Sequence, residues 1–201
     1  DCLLSRGLGD VYKRQVRTLV DRIGESCFIV VAYLVGARVS EILGLQAGCI
    51  ERNPSADGTE QFAYLAGRIY KTARAESGQA HRWPAPPAVE RAIAVMEQLS
   101  APLRQRTGRT DLWLSPDSTG LAGPAARIRV PGVQTLIGRL NKGFAVFIDL
   151  PQYQGAAWHL NTHQGRKTFA RFVGKRDRTG LDALRAHFGH CLLYTSDAAD
   201  E

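Results

Sequence analysis

The chain has four cysteines, Cys2, Cys27, Cys49 and Cys191, and no two of them form a CxxC pair. Neither a zinc ribbon nor a disulfide framework is suggested, and a reducing cytosol fits best, so a cytoplasmic location is expected. A membrane-length apolar run is missing too. The most apolar stretch, Cys27 to Val35, falls well short of the roughly 20 residues that a span needs, and no signal peptide precedes it. No membrane partner is expected. There is no internal repeat, and 201 residues need be no more than one compact domain. Acidic residues are outnumbered, 19 against 26 Lys plus Arg, for a formal charge of +7. That balance favours a polyanionic partner, nucleic acid being the obvious candidate, although a basic surface can also serve solubility alone.

Both ends stand apart from the rest. Residues 1–15 (DCLLSRGLGDVYKRQ) and 191–201 (CLLYTSDAADE) resemble translated adapter sequence, and the string CLL occurs in each. They are read as a non-native leader and a non-native tail and set aside from fold reasoning. The leader has three basic and two acidic residues and the tail three acidic ones, so the basic bias belongs to residues 16–190.

Within that interior, Val16, Leu19, Val20, Ile23, Phe28, Val31, Leu34 and Val35 recur at helical spacing, predicting one buried-face helix or two in succession. Gly36 breaks the pattern. Val39, Ile42, Leu43 and Leu45 give a second short helix, with Arg38 and Glu41 off its apolar stripe. Asn53 to Gly58 is turn-forming. Phe62, Tyr64 and Leu65, then Ile69 and Tyr70, read as short strands flanking Gly67, with a hairpin tip or loop at 72–80 and a returning strand at 81–84. Pro86 and Pro87 suit a helix start, and Val89, Ile93, Val95, Met96 and Leu99 continue it to the breaker Pro102. Leu112 to Leu114 is a short apolar element, and helices are predicted at 133–140, 162–173 and 180–188. The class is α+β, mainly helical with a small antiparallel β-sheet.

Arg38 stands beside a small-residue turn at a helix start, three residues before Glu41. Backbone N–H groups and the helix dipole favour a phosphate there, and a guanidinium can bridge two phosphate oxygens. A surface Arg38–Glu41 ion pair is the plainer reading. His163 and Arg166 stand three apart on one face of the helix predicted at 162–173. A histidine can pass a proton at neutral pH while an arginine holds its charge, a pairing that phosphoryl transfer uses. His159 and His163 also stand four apart, as zinc ligands on a helix do. Leu160, however, follows His159 where a zinc protease carries glutamate, and no metal is expected. Lys71 lies where a strand gives way to the hairpin tip, within reach of a bound ligand. Gly189 is a candidate left-handed cap before His190, and His187 reads as a packing or solvent-facing residue.

In order and spacing these residues resemble the catalytic boxes of the tyrosine recombinases, the phage integrase family, over nearly all of 16–190. The family's GxRxxE box matches Gly36-Ala37-Arg38-Val39-Ser40-Glu41, its hairpin lysine Lys71, its HxxR box His163 to Arg166 followed by Thr168-Phe169-Ala170, and its GH pair Gly189-His190. A leucine usual before the second arginine is Gly165 here, a departure in local packing.

The resemblance implies site-specific DNA recombination or integration. Arg38 and Arg166 would clamp the non-bridging oxygens of the scissile phosphate, His163 and His190 would add hydrogen bonds and assist proton transfer, and Lys71 would protonate the leaving 5′ hydroxyl. A tyrosine hydroxyl would attack phosphorus to give a 3′-phosphotyrosyl link, with no metal, ATP or other cofactor. On the family's pattern that tyrosine falls at Ala199, and Tyr194 comes too early, so the nucleophile is unassigned and the chain is expected to bind double-stranded DNA without turnover. Residues 16–190 would be an incomplete catalytic domain without the family's N-terminal helical domain. The full protein would be oligomeric on DNA, and this chain monomeric. Two further readings share the basic surface: a non-catalytic DNA-binding module with the helix at 162–173 in a groove, and a type IB topoisomerase.

Overall fold

A computed structural model describes residues 2–55, 57–70, 78–116, 127–176 and 181–189. Its architecture is α+β, mainly helical with a small antiparallel sheet. Helix α1 (Cys2–Val35) is one unbroken helix that also runs through the residues set aside as a leader. Cys27, Phe28, Val31, Ala32 and Val35 form its buried face, against which α3 (Pro87–Thr107) and α6 (Thr162–Arg176) pack. The expected buried face is too long, since Val16, Leu19, Val20 and Ile23 are 37–52% exposed. They share a helical stripe with the core positions, but the packed neighbours cover only the C-terminal end of α1, and periodicity does not reveal where a partner stops.

Gly36 ends α1 at φ +68°, a conformation that glycine adopts without strain. Helix α2 (Val39–Leu43) follows directly and buries Ile42 and Leu43. The main sheet has the order β1-β2-β3, from β1 (Ile50–Pro54), β2 (Gln61–Ile69) and β3 (Gln79–Pro84), all antiparallel, with Leu65 opposite both Ile50 and Trp83. The two strands expected around Gly67 are one. Gly67 does not break β2 but makes room on it, because a Cβ there would stand 2.9 Å from the ring of the buried Trp83. Strand β1 was not expected, and the turn begins only after Pro54. Its sequence, IERNP, has no apolar alternation for a period-two reading to detect.

Helix α3 does not stop at Pro102. Proline withdraws only the one backbone donor that would serve the Gln98 carbonyl; in the same turn Ser100 Oγ donates to Met96 O at 2.7 Å and Arg104 Nη2 to Glu97 O at 2.7 Å. The helix ends instead at Gly108, φ +67°. Leu112, Trp113 and Leu114 are buried as expected. The short pair β4 (Ser115–Pro116) and β5 (Ile128–Arg129) leads to α4 (Val133–Arg139), a π-helical turn (Leu140–Phe144) and α5 (Ala145–Phe147). A second two-stranded hairpin, β6 (Gln152–Tyr153) and β7 (Ala156–Ala157), precedes α6, and α7 (Leu181–Phe188) follows it. Among the described residues no helix is long and apolar enough to cross a membrane.

Helix α6 lies backbone to backbone on α1. Gly165 is buried, and a Cβ added to it would stand 2.7 Å from the Ala32 carbonyl oxygen, whereas Gly174 in the same helix has open space around it. In an open helical site, alanine for glycine gains about 1 kcal/mol. Gly174→Ala is therefore expected to raise the melting temperature. Gly165→Ala is expected to lower it, at a cost of about 1–3 kcal/mol from overpacking against a backbone atom that cannot move aside. Thermal denaturation of the two variants checks this opposition of sign.

Candidate phosphate-binding site

The sharp turn at Gly36 presents Arg38 as the N-cap of α2 in extended conformation. Glu41 fastens it twice: the Arg38 backbone N–H donates to Glu41 Oε2 at 2.6 Å, and Arg38 Nη1 donates to Glu41 Oε1 at 2.9 Å. The pair is not the surface contact that sequence alone allowed, since the Glu41 side chain is 1% exposed and that of Arg38 15%. It lies at the boundary of the core, where charge-assisted hydrogen bonds are strong and an unpaired partner is expensive.

Arg166 arrives from α6. The start of that helix is fixed by Asn161 and Gln164: the Asn161 N–H donates to Gln164 Oε1 at 3.0 Å, and the His163 N–H donates to Asn161 Oδ1 at 3.1 Å. This is a reciprocal cap. One turn on, Arg166 Nη1 donates to the carbonyl oxygen of Gly36 at 3.1 Å, and its guanidinium lies 3.8 Å from the centre of the Phe188 ring. Arg38 and Arg166, far apart in the chain, are thus both tied to the short segment 36–41. His163 is exposed on the first turn of α6. His159 precedes α6, so the two histidines are not four apart along one helix. Among the described residues no group of three or more His, Cys, Asp or Glu side chains is placed to hold a metal ion.

Lys71 and His190 lie outside the described residues. Their described neighbours meet. Gly189 has φ +64°, in line with its reading as a left-handed cap, and a Cβ on it would stand 2.5 Å from Ile69 Cδ1 at the end of β2. The end of β2 and the end of α7 therefore meet.

Two histidines that sequence reasoning left aside join these pieces. His187 Nε2 donates to the Val35 carbonyl at 2.6 Å, and its ring stacks on Phe169 with centroids 4.7 Å apart and planes 17° off parallel. His81 Nε2 on β3 donates in turn to the His187 carbonyl at 2.9 Å. Carbonyl oxygens only accept, so both imidazoles carry a proton on Nε2. Phe169 fills the room that Gly36 leaves, where a Cβ would stand 2.8 Å from the phenyl ring. Burial holds the His187 imidazole below its ordinary value. The Val35 carbonyl opposes that shift, and nearby His81 and Arg166 reinforce it. Of the two readings open for His187, packing and solvent-facing, the structure shows packing, with a polar task that three-residue spacing from His190 does not disclose.

No protein-family model matches the sequence, and no curated protein sequence is similar to it. Its fold is similar to that of solved DNA-recombination proteins. The site-specific recombinase XerH, in a pre-cleavage complex with its difH substrate, superposes with a TM-score of 0.51 at 10% identity, over 88% of this chain and 45% of that one. The Tn1549 transposon integrase, in complex with circular intermediate DNA, gives a TM-score of 0.49 at 16% identity, over 85% of this chain and 51% of that one. The chain thus spans about half the length of each. At such identities the XerH likeness is one of fold.

Two outcomes follow from the geometry. Glu41→Ala leaves the Arg38 guanidinium without its carboxylate and the N-cap N–H without an acceptor, and is expected to destabilise the fold by on the order of 3 kcal/mol in urea titration. The second concerns pH. His187 titrates lower folded than unfolded, so as pH falls from about 6.5 the unfolded chain binds the proton first. Stability is therefore lost over that fall until the lower folded value is passed. His187→Gln keeps an N–H for Val35 and removes this contribution, so its urea midpoint should change less than that of the parent between about pH 7.5 and pH 5.

Proposed function

We propose that this chain supplies most of the phosphate-binding half of a tyrosine-recombinase active site and grips one phosphodiester of double-stranded DNA. The observation that carries this reading is the anchoring of Arg38 and Arg166 on one segment, Arg166 to the Gly36 carbonyl and Arg38 two residues further on. The fold shared with XerH, a recombinase bound to its substrate, supports it. Two guanidinium forks around one phosphate neutralise the non-bridging oxygens and strengthen their hold as negative charge builds on them in the transition state.

In the complete protein, a tyrosine hydroxyl attacks phosphorus, the phosphorus–tyrosyl oxygen bond forms, and the bond to the 5′ oxygen breaks. The departing 5′ oxygen takes its proton from Lys71. His163 and His190 hydrogen-bond the phosphate and assist the tyrosine's loss of its proton. Reversal by another 5′ hydroxyl rejoins the strand, so bond energy is kept in the phosphotyrosyl link. No tyrosine in this chain matches the family's pattern for the nucleophile, so it binds DNA and does not cut it.

The test is duplex binding by fluorescence anisotropy. Arg38→Lys and Arg166→Lys keep the charge and lose the fork, and each is expected to weaken binding by roughly tenfold, the scale of a charge-assisted hydrogen bond. With the coding sequence downstream of His190 restored, the protein should form a covalent adduct on a nicked suicide duplex. Unchanged binding by both variants, together with no adduct from the restored protein, would overturn the reading. Uniform, modest weakening by every cationic substitution would instead favour the non-catalytic DNA-binding module.

A further inference from the structure

Helix α6 has a second basic feature that the phosphate clamp does not use. Its 15 residues include Arg166, Lys167, Arg171, Lys175 and Arg176 and no acidic residue. Lys167, Arg171 and Lys175 are four apart, so they follow one side of the helix over about 12 Å at about 1.5 Å per residue. All three are exposed. Among the described residues none of the three has an ion-pair partner, whereas Arg22, Arg38, Arg52, Arg82 and Arg109 each pair with a carboxylate. Like charges four apart repel and destabilise a helix by a few tenths of a kcal/mol per pair. Among the described residues no carboxylate offsets that repulsion, and a bound polyanion would.

Which polyanion follows from the rest of the helix. A membrane-surface helix needs a broad apolar face beside its cations. The inner side of α6 is committed to α1, with Gly165 against Ala32 and Phe169 against Gly36. Beyond the contact with α1 that same side offers one large apolar group, Phe172, 54% exposed, with the Arg176 guanidinium 4.2 Å from its ring centre. A duplex needs no apolar face and presents a charge about every 1.7 Å of its axis. The row also begins one residue after Arg166, about a quarter turn around the helix from it.

We propose that Lys167, Arg171 and Lys175 form a second DNA contact, a track that holds backbone phosphates of the duplex flanking the one gripped by Arg38 and Arg166. The position of the track beside a clamped phosphate rests on the proposed function. The track itself rests on the unpaired row.

The experiment is the salt dependence of binding to a duplex of about 20 base pairs between roughly 50 and 200 mM salt, where each phosphate contact adds about 0.9 to the slope of log K on log salt. The triple variant Lys167→Gln, Arg171→Gln, Lys175→Gln should flatten that slope by about 2 to 3 and leave the melting temperature unchanged or slightly raised. A charge-matched control, Arg91→Gln, Arg127→Gln, Lys142→Gln, removes three exposed cations scattered on other segments and should flatten it by less than about 1. Indistinguishable slopes for the two triples overturn the track. So does a triple that loses binding to phosphatidylserine vesicles while keeping its slope on DNA. Arg38→Lys separates the two readings. If it weakens binding while the track triple matches its control, the clamp stands and the track falls. If it has no effect while the track triple flattens the slope, the track stands and the clamp falls.

Discussion

The site depends on how closely α6 approaches the end of α1. Gly165 lies on the Ala32 carbonyl and Phe169 occupies the space beside Gly36, so two glycines, one on each side of the contact, set the separation of the two segments. Only at that separation does Arg166 reach the Gly36 carbonyl. The same approach stacks Phe169 on His187, and His187 in turn holds the Val35 carbonyl. A side chain at either glycine would push on backbone or on a ring already stacked on His187. Tight packing of this kind transmits a displacement instead of absorbing it.

Two buried glutamates show how local backbone decides the fate of a charge. Glu25 follows Arg22 by three residues, as Glu41 follows Arg38, and both pairs are close, 2.7 Å and 2.9 Å. Glu41 sits in the first turn of α2, where helical N–H groups lack partners, and accepts one of them besides the guanidinium. Glu25 sits in the middle of α1, where every backbone N–H is already engaged within the helix. It has the charges of Arg22 and Arg139 without hydrogen-bond geometry, and burial, helped by the nearby Asp21, pushes its carboxyl up to about 7. The cap position thus turns an arginine–glutamate pair into a rigid mount for Arg38, and the mid-helix position does not.

Much of this was legible in the residues, and the illegible parts have identifiable causes. The helices at 133–140, 162–173 and 180–188, the hairpin return at 81–84 and the paired boxes around Arg38 and Arg166 announce themselves through periodicity, turn residues and spacing. Strand β1 was hidden because its polar sequence is paid for by pairing with β2, a long-range fact. Pro102 looks like a terminus, but it removes only the donor for the Gln98 carbonyl, and α3 runs on through it to Gly108. The linkage from His81 through His187 to Val35 spans 106 and then 152 residues of sequence separation. No local pattern encodes a contact of that range between an imidazole and a backbone carbonyl.

Gly165 stands where the recombinase resemblance leads one to expect leucine, and packing accounts for the departure. A leucine there would need room that the Ala32 backbone occupies, so α6 would have to stand further from α1. Moved outward, Arg166 would lose the Gly36 carbonyl, and Phe169 would leave the Gly36 cavity and its stack on His187. The smaller residue is therefore matched to its surroundings: small against small at 165 and 32, large against small at 169 and 36, and a guanidinium on the Phe188 ring. The apolar volume missing at 165 is offset by backbone approach, and the Arg166 guanidinium stays within reach of the Gly36 carbonyl.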